Sequence, residues 1–231
     1  MKIIISPSKT MLFKNSKFLE NRSLVYPKLH KKVLTQLRKL SKIEIARIFN
    51  IKGALLDKTY QNIKDYSKNE SHQAFPSFTG LVFFNLDRDN YKQPEYEYIA
   101  KNVRILDAYY GVLEPGTLVK PYRLDMKTKI GINLYKHWTI DAYFDDELLI
   151  NLASNEFSQM LDKSMININF LQSKNGKYIN QATYSKQARG LFLDYLIKNK
   201  IEVRKLMHGF NLDNYKYNQE LSDLENVTFT R

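Results

Sequence analysis

Short apolar runs that break off into polar turns, set between stretches of helical periodicity, confine this chain to the α/β class. Ile3-Ile4-Ile5 gives way to Ser6-Pro7-Ser8-Lys9-Thr10, and Leu149-Ile150-Asn151-Leu152-Ala153 gives way to Ser154-Asn155-Glu156. A third segment of the same form begins at Ala182-Thr183-Tyr184-Ser185 and passes into Lys186-Gln187-Ala188-Arg189-Gly190. An apolar run a few residues long, bounded by turn formers, reads as a buried strand. Between these runs Leu29, Val33, Leu37 and Leu40 recur at helical spacing after Pro27, with Lys28, Lys31, Lys32, Arg38 and Lys39 on the other faces. Strands and helices that alternate in this way build a mixed sheet flanked by helices. No linker, repeat or low-complexity stretch divides the chain, so residues 1–231 are read as a single α/β (mixed α+β) domain.

The remaining elements follow from local signals. Residues 2–6 read as the first strand and 11–26 as a loop. Ser41 and Glu44 have the spacing of a capping box that opens a short helix through Phe49. A third helix is expected across 54–67 and another over 91–101, while 78–86 fits either strand or helix. Residues 103–113 read as one strand running into a turn at Glu114-Pro115-Gly116. Residues 134–148 read as helical. Two strands, 165–170 and 177–183, are joined across Lys174-Asn175-Gly176, a hairpin signal. Ser185 is expected to cap the last long helix, and 227–230 to form a closing strand.

Composition narrows the function. Lys and Arg outnumber Asp and Glu by 36 to 24, a formal charge of +12. Part of that excess accompanies Asn and Ile, as the drift of an AT-rich genome produces. The rest calls for an anionic partner such as nucleic acid. Without cysteine the chain has no disulfide, no thiolate nucleophile and no cysteine metal site. The N-terminal apolar run is too short for a signal peptide, and no stretch approaches a membrane span. The expectation is a cytoplasmic protein, off the membrane, and a monomer.

Several motif matches fail on inspection. Ser6-Pro7-Ser8-Lys9 has Ser-x-x-Lys spacing but lacks the companion elements of that nucleophile class. Asn85, Asp87 and Asp89 imitate the start of a calcium loop, but Asn90 replaces the obligatory glycine and Tyr96 the closing glutamate. His30, His72, His137 and His208 are scattered without metal spacing, so neither a metal nor another cofactor is expected.

What remains is a set of polar strand ends. If they converge, Lys9, Glu156, Lys186 and Arg189 form a cationic site with one carboxylate. Lys186 and Arg189 are placed in the first turn of a helix, whose amides would add to their pull on an anion. The alternative is an ordinary solvated helix start. The segment 104–126 adds Gly111, Gly116 and Lys120 around a tight turn, then Arg123 and Asp125 two residues apart. In an extended chain these two share a face, which suits either a phosphate site with a carboxylate beside it or an internal ion pair.

Ile4-Ile5-Ser6-Pro7-Ser8-Lys9-Thr10, Tyr110-Gly111-Val112-Leu113, Pro121-Tyr122-Arg123-Leu124-Asp125-Met126, Asn151-Leu152-Ala153-Ser154, Ala188-Arg189-Gly190 and Phe229-Thr230-Arg231 together resemble the peroxide-stress protein YaaA family, over essentially the whole chain. The resemblance implies a compact α/β fold with a basic cleft and a helix-hairpin-helix-like element. It also implies DNA binding and protection against hydrogen peroxide, with an effect on intracellular iron. Two departures bear on this. Asp125 stands where the family has Glu, and Glu114 where it has Arg, which removes a cation from the turn.

Three functions are thus in view. The first is a DNA-binding stress protein with little sequence preference, touching nucleic acid through Lys9, Gly111, Gly116, Lys120, Arg123, Lys186 and Arg189, with Tyr and Phe stacking on bases. The second is an enzyme acting on a nucleotide or nucleic-acid base, with Lys9, Asp125, Glu156 and Lys186 as candidate catalytic groups. The third is a basic scaffold for another protein.

Overall fold

A computed structural model describes all 231 residues. The chain opens with β1 (Lys2–Ile5), then three helices, α1 (Pro27–Lys39), α2 (Lys42–Phe49) and α3 (Gly53–Lys64). Next come β2 (His72–Gln73), the one-turn helices α4 (Ala74–Ser77) and α5 (Leu81–Phe84), and α6 (Gln93–Asn102). Strands β3 (Val103–Asp107), β4 (Gly111–Leu113) and β5 (Leu118–Val119) follow, then α7 (Leu134–His137), β6 (Leu149–Asn151) and α8 (Asn155–Ser158). The chain closes with β7 (Ile166–Lys174), β8 (Lys177–Ile179), α9 (Ala182–Lys198), α10 (Arg204–Met207), β9 (Lys216–Tyr217) and β10 (Asn226–Thr230).

Eight strands make one mixed sheet, ordered β4-β3-β1-β6-β7-β10-β9 with β8 paired to β7; β2 and β5 form a separate ribbon. The centre is parallel. Ile3 pairs with Val103 of β3 on one side and with Ile150 of β6 on the other. Ile3, Ile4 and Ile5 are fully buried, as a parallel strand covered on both faces requires. From β1 the chain goes on to one neighbour and returns later on the other side. That reversal is the point where open parallel sheets leave a crevice at their strand ends.

Local signals hold where one side chain decides them. The Ser41–Glu44 capping box forms in both directions, at 3.3 Å from the Glu44 amide to Ser41 Oγ and 2.8 Å from the Ser41 amide to Glu44 Oε2. The β7–β8 hairpin turns at Asn175 and Gly176, both with positive φ. Helices α2 and α3 are joined by Asn50, Ile51 and Lys52, with Asn50 in the left-handed region.

Four expectations are corrected. Residues 103–113 form two antiparallel strands, because the Asp107 carboxylate accepts the amides of Tyr109 and Tyr110 at 2.8 and 2.9 Å and turns the chain back. Residues 134–148 hold only α7 and a 3-10 turn at 141–144. There Trp138 leaves the helix with extended backbone so that its indole can donate to the Ala108 carbonyl at 3.0 Å. Ser185 caps nothing: α9 starts at Ala182, and the Ser185 hydroxyl bonds to the Phe170 carbonyl and Asn180 from within the helix. The strand expected over 177–183 therefore stops at Ile179.

The buried side chains form one continuous core. It absorbs most of the chain's aromatic excess. Phe75, Phe78, Phe83, Tyr109, Tyr110, Phe144, Phe170, Phe192, Phe210, Tyr215 and Phe229 are all fully buried, which leaves few rings at the surface to stack on bases. No helix is long and apolar enough to cross a membrane.

Candidate functional site

Parallel β1 and β6 deliver their following residues to one place. Ser6 and Ser154 meet there, hydroxyl to hydroxyl at 3.2 Å, and the Ser154 amide donates to Ser6 Oγ at 2.9 Å. Three further segments complete the walls of a cleft of about 380 Å³: Gly80–Phe83, Tyr122–Asp125, and Lys186 with Arg189 from α9.

Each segment is held by an identifiable contact. The Tyr122 hydroxyl donates to Asp107 at the end of β3, so the 122–125 segment is tied to a third parallel strand end. The Met126 amide donates to Glu156 Oε1 at 3.0 Å, fixing the far end of that segment to α8. Helix α9 lies against α5 because Gly190 has no side chain: a Cβ there would come within 2.4 Å of the Val82 carbonyl oxygen.

Lys9, Arg123, Asp125, Glu156, Lys186 and Arg189 all line this one cleft. Asp125 takes Lys9, not Arg123, as its partner, at 2.7 Å, so the internal Arg123–Asp125 ion pair is not formed. Lys186 and Arg189 sit in the second turn of α9 and beyond, since the helix begins at Ala182. The free amides of its first turn therefore do not accompany them.

The electrostatics of the cleft are uneven. Four cations face two carboxylates, and Arg123, Lys186 and Arg189 make no ion pair with any carboxylate. Arg189 is the most enclosed of the three, and its Nε is buried without a hydrogen-bond partner. Burial pushes its guanidinium below the ordinary value. Other inward-drawn arginines find acceptors in the fold. Arg88 donates to the carbonyls of Phe75, Pro76 and Phe78. Arg104 donates to Tyr143 and to the carbonyls of Ala100 and Val103.

Gly111, Gly116 and Lys120 lie elsewhere. Gly111 is buried with φ +81°, and a Cβ there would sit 2.7 Å from the Trp138 ring. The Gly116 carbonyl accepts the Arg22 amide. Gly116 borders a second groove of about 460 Å³ whose charged lining is three carboxylates (Glu20, Glu97, Glu114) to two arginines (Arg22, Arg104), the wrong balance for a phosphate. Glu114 accepts the Tyr143 hydroxyl at 2.9 Å and lies 3.9 Å from Arg104, an internal role. Lys120 gives its ammonium to the carbonyls of Tyr66 and Ser67. No three His, Asp or Glu side chains gather with the spacing of a metal site.

Sequence reasoning did not count one charged surface among the binding groups. Residues 27–68 carry eleven Lys and Arg against three Asp and Glu, a net +8 of the chain's +12. On α1 the buried face is His30, Val33, Leu34 and Leu37. Lys28, Lys31, Lys32 and Lys39 occupy the opposite, exposed side, and none has a carboxylate partner. The signal was present in the heptad-like spacing of those lysines.

Residues 1–221 match the family described as peroxide stress protein YaaA. Full-length relatives include a UPF0246 protein of Fusobacterium nucleatum, 38% identical over 100% of this chain and 99% of its own. Another from Francisella philomiragia is 33% identical over the whole of both chains. A third, from Malacoplasma penetrans, is 30% identical over 100% of this chain and 99% of its own.

Proposed function

The chain belongs to the peroxide stress protein YaaA family, and on that premise we propose that it binds DNA through the lysine-rich face of α1 and protects it under hydrogen peroxide stress. The observation that carries this reading is the row Lys28, Lys31, Lys32 and Lys39, exposed together and without counter-charge. Such a row neutralises phosphates of a duplex backbone without reading bases, so sequence preference is weak. Helices α2 and α3 and their junction add the exposed cations Arg47, Lys52 and Lys58. The effect on intracellular iron implied by the resemblance would then lie downstream of nucleic acid.

The test is fluorescence anisotropy with a mixed-sequence duplex at 50 and 200 mM salt. Log affinity falls with log salt by about 0.9 per phosphate contacted, and replacing the four lysines by Gln lowers that slope. Binding absent at 50 mM, or insensitive to salt, overturns the reading. A second reading, an enzyme acting on a nucleotide, is supported by the recess at the strand ends and by the two carboxylates that line it beside its cations.

A further inference from the structure

We propose that the cleft at the ends of β1 and β6 binds one nucleoside monophosphate, with the phosphate held between Arg189 and Lys186 of α9. This site is separate from the lysine face of α1 and stands or falls independently of it.

The first argument is charge. A cation drawn out of water destabilises the fold unless an anion or a set of acceptors meets it. The fold supplies acceptors for Arg88 and Arg104 but none for the Nε of Arg189. Lys186 on the same helix and Arg123 on the facing segment are likewise without a carboxylate partner. Three uncommitted cations around one recess are matched to a phosphate, and Arg can hold it by two parallel bonds.

The second argument is size and mixture. At about 380 Å³ the cleft falls at the lower end of the range for small-molecule sites, room for one nucleotide rather than a polymer. Its apolar walls, Leu81, Phe83, Leu152 and Phe157, suit a planar base. Asp125 and Glu156 disfavour a second phosphate and accept from hydroxyl or amino groups instead. Glu156 commits one oxygen to the Met126 amide and has the other to offer. A ligand that is anionic at one end and carries donors at the other satisfies both sets of residues. Neither a bare anion nor a neutral nucleoside does.

The experiment is titration calorimetry on the full chain with AMP, CMP, GMP and UMP, with adenosine and inorganic phosphate as controls. At least one monophosphate binds one-to-one and at least about tenfold more tightly than either control, a difference of about 1.4 kcal/mol. Arg189→Met weakens it by at least about tenfold, and the exposed Lys186→Met by a smaller factor. Because Arg189 is largely enclosed, melting of each unliganded variant is recorded; Lys186→Met alone decides if Arg189→Met does not fold. Duplex affinity stays level in both variants. No saturable monophosphate binding overturns the proposal. So does adenosine or phosphate binding as tightly, Lys186→Met keeping full affinity, or duplex affinity falling in step.

Discussion

His30 and Asp107 rest against the same pair of tyrosines, one through its ring and the other through its carboxylate. His30 stacks on Tyr110 at 4.9 Å and meets Tyr109 edge-on at 4.7 Å. Asp107 accepts the amides of both. Neither has an ion-pair partner, and burial moves them in opposite directions. His30 is pushed down to about 4. Asp107 is pushed up to about 6, burial outweighing the hydrogen bonds from Tyr122, Tyr110 and Tyr109.

Their effects on stability oppose each other between pH 4 and 6. The Asp107 contribution is full below the unfolded value of about 3.9 and is lost as pH rises through about 6. The His30 contribution is full above about 6.5 and is lost as pH falls through about 4. Each spans about 3 kcal/mol, so these two contributions nearly cancel in the parent and are unmasked in the single variants. Relative to the parent, Asp107→Asn loses stability on acidification from pH 6 to 4, and His30→Phe gains it. Urea denaturation at several pH values checks both signs.

Gly111→Ala tests the turn as scaffold. The new methyl meets the Trp138 ring at 2.7 Å in a backbone conformation that disfavours side chains. Stability falls by about 1–3 kcal/mol or more, read as a lower denaturation midpoint. The salt slope of duplex binding by the folded fraction is unchanged.

Lys9 and Asp125 are coupled only weakly. Their side chains are 58% and 32% exposed, and water screens the pair. A double-mutant cycle with alanine gives a coupling of about 1 kcal/mol or less. Arg123→Ala, which breaks no ion pair, shifts stability by no more than about 0.5 kcal/mol.

Gly190→Ala separates α9 from the Val82 carbonyl, which has only 2.4 Å to offer a methyl group. The melting temperature falls. Arg189, the preceding residue, moves with the helix, so monophosphate binding weakens as well. A variant that melts lower but binds normally shows that the helix packing and the cleft are uncoupled.

The class of fold and the meeting of strand ends were legible because few residues decide them. Ile3-Ile4-Ile5 reads as a buried strand, and Ser6, Ser154 and Glu156 follow their strands within five residues. The Trp138 region was not legible, because its apolar spacing fits a helix and only the distant Ala108 carbonyl draws the indole away. The reversal at Asp107 was hidden for a similar reason: an aspartate folding back on the amides of two tyrosines looks, in a one-dimensional string, like one more strand residue. Whether Asp125 pairs with Arg123 or faces the cleft stayed open in the sequence, because its partner Lys9 lies 116 residues away. Contacts across such separations belong to the tertiary structure alone.

The position of β1 also governs how the molecule comes together. The first strand finds its neighbours about 100 and about 150 residues further on. Closing loops of that length must precede any reward from the pairing, whereas the β3–β4 and β7–β8 hairpins close over a few residues. Chains dominated by such distant pairings fold slowly, in about milliseconds to seconds. The topology therefore favours an order in which the hairpins and helices form early and the central strand docks last. Since the cleft is framed by the residues after that strand, it exists only while β1 is docked and is lost when β1 is pulled from the sheet.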